Sequence, residues 1–145
     1  MVTPYITFAG NCGAALDFYK DVFKTEIKMA MPYGDYMPVN MLKRPDNLYE
    51  WVLHAEMDIC GTTFQFADEA VEEVTTGNLV KLTTQIETAK DAQEIFDALC
   101  KGDAQVTLPP TQTFYSKFHA AVTDMFGVCW NIIALEAPDS LPNMF

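Results

Sequence analysis

Residues 51–67, WVLHAEMDICGTTFQFA, and residues 117–134, KFHAAVTDMFGVCWNIIA, decide how this chain is read. Each is an apolar/polar alternation broken by an Asp-x-x-Gly turn, Asp58 to Gly61 in the first and Asp124 to Gly127 in the second. That is the pattern of two half-buried strands joined as a hairpin. The turns lie 124 − 58 = 66 residues apart. Two such hairpins at one spacing predict that the chain is one unit written twice.

Working outward, the copies continue. AALDFYKDVF (Ala14 to Phe23) places Ala15, Leu16, Phe18, Tyr19, Val22 and Phe23 on one helical face, with Asn11 the expected N-cap. TAKDAQEIFDALCKG reads as a second helix, capped by Thr88 with Asp91 three residues on and stopped by Gly102. Its inward face is Ala89, Ala92, Ile95, Phe96 and Leu99. Laying Phe18-Tyr19 on Ile95-Phe96 gives an offset of 95 − 18 = 77. A strand precedes each helix (PYITFAG, VKLTTQIE) and another follows it (TEIKMAM, AQVTL). A Pro-bearing loop comes next, from Pro32 to about Leu48 and from Pro109 to about Ser116. The longer first loop explains why the hairpin offset is smaller than the helix offset.

The chain is thus expected to be one α+β domain, 1–145, made of module 1 (3–69), an acidic linker (70–78), module 2 (79–135) and a tail (136–145). Each module reads strand–helix–strand–loop–strand–turn–strand. Neither can cover its own sheet face, so the two are expected to pair around a cavity. The tail EAPDSLPNMF, ending in Met144-Phe145, is expected to dock on its own subunit or a partner.

Composition narrows the function. With 20 acidic against 9 basic residues the net charge is −11, and neither half offers a basic footprint for nucleic acid. No apolar run approaches the roughly 18 residues of a membrane helix, so no membrane partner is expected. The start lacks a basic n-region, and the four cysteines (Cys12, Cys60, Cys100, Cys129) form no Cys-x-x-Cys pair. They read as free thiols in a reducing compartment, which predicts a cytoplasmic protein. Seven glycines make no Gly-x-Gly, which argues against a dinucleotide fingerprint, a P-loop or a nucleotide-binding methyltransferase. Ser116 and Ser140 sit in no Gly-x-Ser-x-Gly elbow.

TPYITFAGNCGAALDFYKDVF, LHAEMDICGTTFQFADE and QTFYSKFHAAVTDMFGVCWNI resemble the PhnB-like branch of the glyoxalase/bleomycin-resistance, or vicinal oxygen chelate, superfamily. The similarity runs from Thr3 to about Ile133. It implies two βαβββ modules forming a curved mixed sheet around a cavity, commonly in a homodimer. Many such proteins hold a divalent metal there; others only bind a small organic molecule. Carried over by position, the metal ligands fall on Pro4, Gln65, Lys81 and Asn131, and the repeat gives the same registration: 65 + 66 = 131 and 4 + 77 = 81. Proline has no side-chain donor, lysine is a cation, and two neutral amides hold a transition metal feebly. No metal and no cofactor are therefore expected. The branch also tends to show Phe-Trp-Gly and then Arg before the last hairpin, where this chain has Phe114-Tyr115-Ser116-Lys117-Phe118.

Hairpin register decides which side chains can meet. With two-residue loops His54 lies opposite Gln65, and His119 points away from Asn131. With three-residue loops ending in a left-handed glycine, Ala55 faces Gln65, Ala121 faces Asn131, and His119 joins the Asn131 face. A shift of one residue exchanges the faces. Turn chemistry favours the three-residue loop, because Gly61 and Gly127 then take the positive φ. The shared Asp-x-x-Gly predicts one register for both hairpins. Gln65, Asn131, His119, Tyr115, Phe118, His54 and Glu56 are the candidate ligand-binding residues, with Tyr115 and Lys117 at the rim. The expectation is a metal-free small-molecule binder of unestablished catalysis. The alternatives are a metal-dependent lyase, isomerase or dioxygenase using Gln65, Asn131 and Glu56 or His119, and a dimeric scaffold.

Overall fold

In the computed structural model, which describes residues 1–36 and 50–139, the repeated pattern folds twice into a four-stranded mixed sheet. The unit Met1–Thr75 holds β1 (Tyr5–Phe8), α1 (Cys12–Phe23), β2 (Ile27–Pro32), the single turn α2 (Tyr33–Tyr36), β3 (Val52–Ile59) and β4 (Thr62–Asp68). The unit Thr76–Phe145 holds β5 (Leu82–Ile86), α3 (Ala89–Leu99), β6 (Gln105–Thr111), β7 (His119–Thr123) and β8 (Cys129–Ala134). Strand orders are β1-β4-β3-β2 and β5-β8-β7-β6, with β1 parallel to β4, β5 parallel to β8, and the other pairs antiparallel. The βαβββ order is present in both halves, with α2 an addition to the first. No helix among the described residues is long and apolar enough to cross a membrane. Most of the loop expected from Pro32 to about Leu48, and the tail end with Met144 and Phe145, lie outside the described residues.

Each helix covers one face of its own sheet, and spacing decides which residues go inward. On α1, Cys12, Ala15, Leu16, Tyr19 and Val22 are buried, and the Tyr19 ring stacks 6.1 Å from Phe66 of β4. On α3, Ala92, Phe96 and Leu99 are buried. These side chains, with Met57, Trp130 and Ile132 fully buried beneath them, form the cores. Each large apolar side chain so buried contributes about 1.5–3 kcal/mol.

The helix starts are made differently from one another. Thr88 caps α3 as expected, its hydroxyl accepting from the Asp91 amide at 3.1 Å. Asn11 makes no side-chain cap on α1. Asp68, at the far end of β4 and 2% exposed, takes over: Oδ1 accepts from the Gly10 and Cys12 amides (2.8 and 3.0 Å) and Oδ2 from the Val52 amide (3.0 Å). A carboxylate beside those orphan amides is favoured by the helix dipole. Burial, and then the Asp68 charge, push the Cys12 thiol far above its ordinary range, which leaves it unreactive. In the second unit Glu136, just past β8, accepts from the Ala89 amide at 2.9 Å.

Two boundaries differ from expectation. Strand β6 does not end at Leu108 but continues through Pro109 and Pro110 to Thr111. It is an edge strand with register shifts around those prolines, where the ladder needs no amide from them. Helix α3 ends at Leu99, and Gly102, the expected stop, lies beyond it at φ +63°.

The expectation of one register for both hairpins fails. In the second hairpin Thr123 pairs with Cys129 and Ala121 with Asn131, around a three-residue loop closed by Gly127 at φ +92°. In the first, Ile59 pairs with Thr62, leaving a two-residue loop of Cys60 (φ +50°) and Gly61 (φ +85°), one position beyond the Ile59-Cys60 loop that would have set His54 opposite Gln65. Positive φ at both central residues is what a type I′ turn requires. The cause is what each aspartate can reach. Asp124 is 3% exposed and accepts from the Phe126 and Val128 amides (2.9 and 3.0 Å) and from the Trp130 indole (2.8 Å), which draws the turn around its carboxylate. Sixty-six residues earlier the Trp130 position is Phe64, which has no N–H to offer. Asp58 turns outward to the Thr63 hydroxyl (2.5 Å) and the Lys28 ammonium (3.1 Å), and its loop closes one residue later.

Candidate functional site

Strand alternation sends every second side chain to the sheet face that the helix does not cover. In the second unit the buried Ala120, Val122, Trp130 and Ile132 belong to the helix side, while His119, Ala121, Asn131 and Thr83 share the other. There four side chains join in a row. The Tyr115 hydroxyl lies 2.5 Å from His119 Nδ1, His119 Nε2 lies 2.6 Å from Asn131 Oδ1, and Asn131 Nδ2 donates to Thr83 Oγ1 at 3.3 Å. Three of these, Tyr115, His119 and Asn131, are sequence-predicted candidates, and the structure brings them together. Thr83 is new. The repeat arithmetic pointed to Lys81, which is exposed and precedes β5. The β5–β8 ladder instead sets Thr83 against Asn131.

The row has a direction. An amide oxygen only accepts, so His119 Nε2 carries the hydrogen toward Asn131. In the neutral ring Nδ1 then holds a lone pair, and the Tyr115 hydroxyl donates to it. The Tyr115 ring stands edge-on to Phe114 with centroids 5.1 Å apart; the two residues are 47% and 59% exposed. Thr113 steadies this bend, its hydroxyl accepting from the Tyr115 and Ser116 amides (3.3 and 3.0 Å). Buried Ser116 ties it to the sheet by donating to the Ala134 carbonyl at 2.6 Å.

Farther along the same face, past the small Ala121, lies a groove of about 260 Å³. Thr123, Cys129, Gln105 and Thr107 line it together with Thr76 to Asn78. The end of the expected linker therefore packs on the second sheet. Gly127 makes room for it, since a Cβ there would sit 2.8 Å from the Thr76 methyl. The Cys129 thiol donates to the Gly77 carbonyl at 3.3 Å and lies 3.4 Å from the Thr123 hydroxyl.

In the first unit the face away from α1 carries Tyr5, Gln65, Glu56 and His54. Glu56 pairs directly with Gln65, and Tyr5 is the parallel partner of Gln65. His54 Nε2 lies 3.7 Å from Glu56 Oε1, and its ring stacks on Tyr5 at 6.3 Å. Because the registers differ, each histidine reaches the helix-free face of its own unit, which a common register would have forbidden.

Phe118 does not join the candidates. It is 5% exposed and packs edge-on against Phe96 of α3, so it is a core residue on the helix side. Lys117 leaves the rim as well, its ammonium 3.1 Å from Asp139 and 3.2 Å from Glu136. Those two carboxylates, Asp139 first, raise it above the usual lysine range.

The positions that the resemblance assigns to metal ligands offer little to a transition-metal ion. Pro4 offers no side-chain donor, Lys81 is a cation, and the Asn131 oxygen already accepts from His119. Among the described residues no three His, Cys, Asp or Glu side chains converge.

No family model matches the chain. Protein YjdN of Escherichia coli (strain K12) is 24% identical over 138 residues, which cover 90% of this chain and 92% of YjdN. Among solved structures, protein PA1353 from Pseudomonas aeruginosa aligns with a TM-score of 0.79 at 22% identity, covering 94% of this chain and 98% of that one. The putative 3-demethylubiquinone-9 3-methyltransferase, PhnB protein, from Bacillus cereus gives 0.76 at 23% identity, covering 92% and 98%. A glyoxylase/bleomycin resistance protein/dioxygenase domain from Frankia sp. EAN1pec gives 0.65 at 12% identity, covering 97% and 93%.

Proposed function

This chain carries the PhnB-like glyoxalase/bleomycin-resistance fold, and from that premise we propose that it binds a small organic molecule on the helix-free face of its second unit, without the superfamily metal. The observation that carries the reading is the row Tyr115–His119–Asn131–Thr83. Four polar side chains held to one another at the surface of a sheet are a preorganised recognition strip. The groove beyond Ala121 supplies volume, and the exposed Phe114 and Tyr115 rings supply an apolar wall.

The test is a thermal-shift screen of phenols, amines, amides and carboxylic acids, followed by amide and side-chain NMR mapping of each hit. A binder raises the melting midpoint in proportion to RT ln(1 + [L]/Kd). The reading predicts hits that perturb Asn131, His119 and Tyr115 and that weaken in Tyr115→Ala. Hits that all map elsewhere, or an empty screen, overturn it.

A further inference from the structure

Resting on that binding reading, we infer that Asn131 sets which kind of hydrogen-bonding group the site accepts: by holding His119 in the Nε2–H tautomer it turns Tyr115 into an acceptor, so that the ligand is an aromatic molecule carrying an O–H or N–H donor. At the β5 end of the row the partner is Thr83. Thr83 Oγ1 takes a hydrogen from Asn131 Nδ2, which presents Oδ1 to His119. Since Oδ1 has no hydrogen, Nε2 must supply one. A neutral imidazole has a single N–H, so Nδ1 is bare and draws in the Tyr115 hydrogen. With that hydrogen committed, the Tyr115 oxygen presents lone pairs alone to whatever lies beyond it.

Three surrounding features agree. Tyr115 and Phe114 stand at right angles and are about half exposed, forming an apolar corner beside that oxygen which suits a flat ring. Lys117, the nearest cation in sequence, is turned to Asp139 and Glu136, so its ammonium does not compete for the Tyr115 oxygen. The chain's net charge of −11 disfavours an anionic ligand. An acceptor-only ligand would meet lone pair against lone pair and leave Tyr115 unsatisfied, at a cost comparable to a lost hydrogen bond. Asn131 is here a positioning residue, acting two side chains away from the ligand.

Two measurements test this, neither requiring the natural ligand. Long-range ¹H–¹⁵N correlation at about pH 8, above the ordinary imidazole range, reads the His119 tautomer in the unaltered protein. The inference predicts Nε2–H, with Nδ1–H appearing or mixing in when Asn131 is replaced by Leu. The second measurement is NMR titration with phenol and with its methyl ether, anisole, which differ in the donor hydrogen. Phenol should bind about ten-fold more tightly, the worth of one hydrogen bond. That preference should vanish in Tyr115→Phe and in Asn131→Leu. An Nδ1–H tautomer in the unaltered protein, or equal binding of the two probes on this face, overturns the inference and leaves the binding reading standing. Failure of both probes and of the wider screen overturns the binding reading and the inference with it.

Discussion

The two Asp-x-x-Gly hairpins start from the same four-residue pattern and finish one residue out of step. Asp124 lies beneath its turn, tied to two turn amides and the Trp130 indole, while Asp58 faces outward to Thr63 and Lys28. The pairing of Asn131 with Ala121, and of Gln65 with Glu56, follows from that difference. A turn motif alone therefore does not specify register. Residues five and six positions past the aspartate decide it, Thr63 and Phe64 in one copy against Cys129 and Trp130 in the other. The outcome reaches the candidate site, because one residue of slip moves every side chain of a strand to the opposite face.

The largest test of this contrast is to remove each aspartate. Asp124→Ala takes the acceptor from two backbone amides and an indole, and should cost about 3 kcal/mol. Trp130→Phe, which makes the second hairpin resemble the first, should cost about 2 kcal/mol for the lost charge-assisted bond plus repacking. Asp58→Ala should shift the melting midpoint far less. Native-state amide exchange reads the hairpins separately, and protection should fall across β7–β8 in the first two variants only. Comparable loss in both hairpins would mean that the buried aspartate does not govern the turn.

A smaller effect is expected on the helix side of the sheets. Thr84 is 3% exposed and its hydroxyl has no hydrogen-bond partner among the described residues, where the first unit's ladder position holds Ile6. Thr84→Val should stabilise by about 1 kcal/mol in urea unfolding. An unchanged midpoint would mean that the hydroxyl has found a partner in solution.

Cys60→Asn should come next. Cys60 holds φ +50° in a turn that favours Asn-Gly, and relief of that strain is worth about 0.5–1 kcal/mol. Destabilisation would show that the loop is not type I′. The slightest effect concerns acid. The Thr63 hydroxyl, and then Lys28, hold the Asp58 carboxyl below its ordinary range. A lowered folded-state pKa adds stability that is complete above the ordinary carboxylate range and is lost as pH falls through the lowered value. Thr63→Val should move the Asp58 titration, read by carboxyl ¹³C NMR, upward, and the stability difference from the unaltered protein should disappear in acid.

Much of the molecule is legible in the residues themselves. Helix periodicity placed Leu16, Tyr19 and Val22, and Ala92, Phe96 and Leu99, on buried faces, and strand alternation exposed the hairpins. Both signals come from side chains one to four residues apart. Asn131, His119 and Tyr115 were legible as candidates because they are polar or amphipathic groups at or beside a strand that alternates cleanly. Phe118 was misplaced because the strand edge before His119 turns its ring toward α3, and Asn11 yielded its role to a carboxylate 57 positions later in the chain.

Two βαβββ units, their buried faces, and a set of polar residues near the last strand can be read along the chain. Local periodicity and turn chemistry suffice for these, because they depend on neighbours along the chain. Contacts between distant strands set the two registers and the choice of Thr83 over Lys81 beside Asn131. Those depend on which donors and acceptors distant strands bring within about 3 Å of each other, and no spacing along the chain encodes that distance.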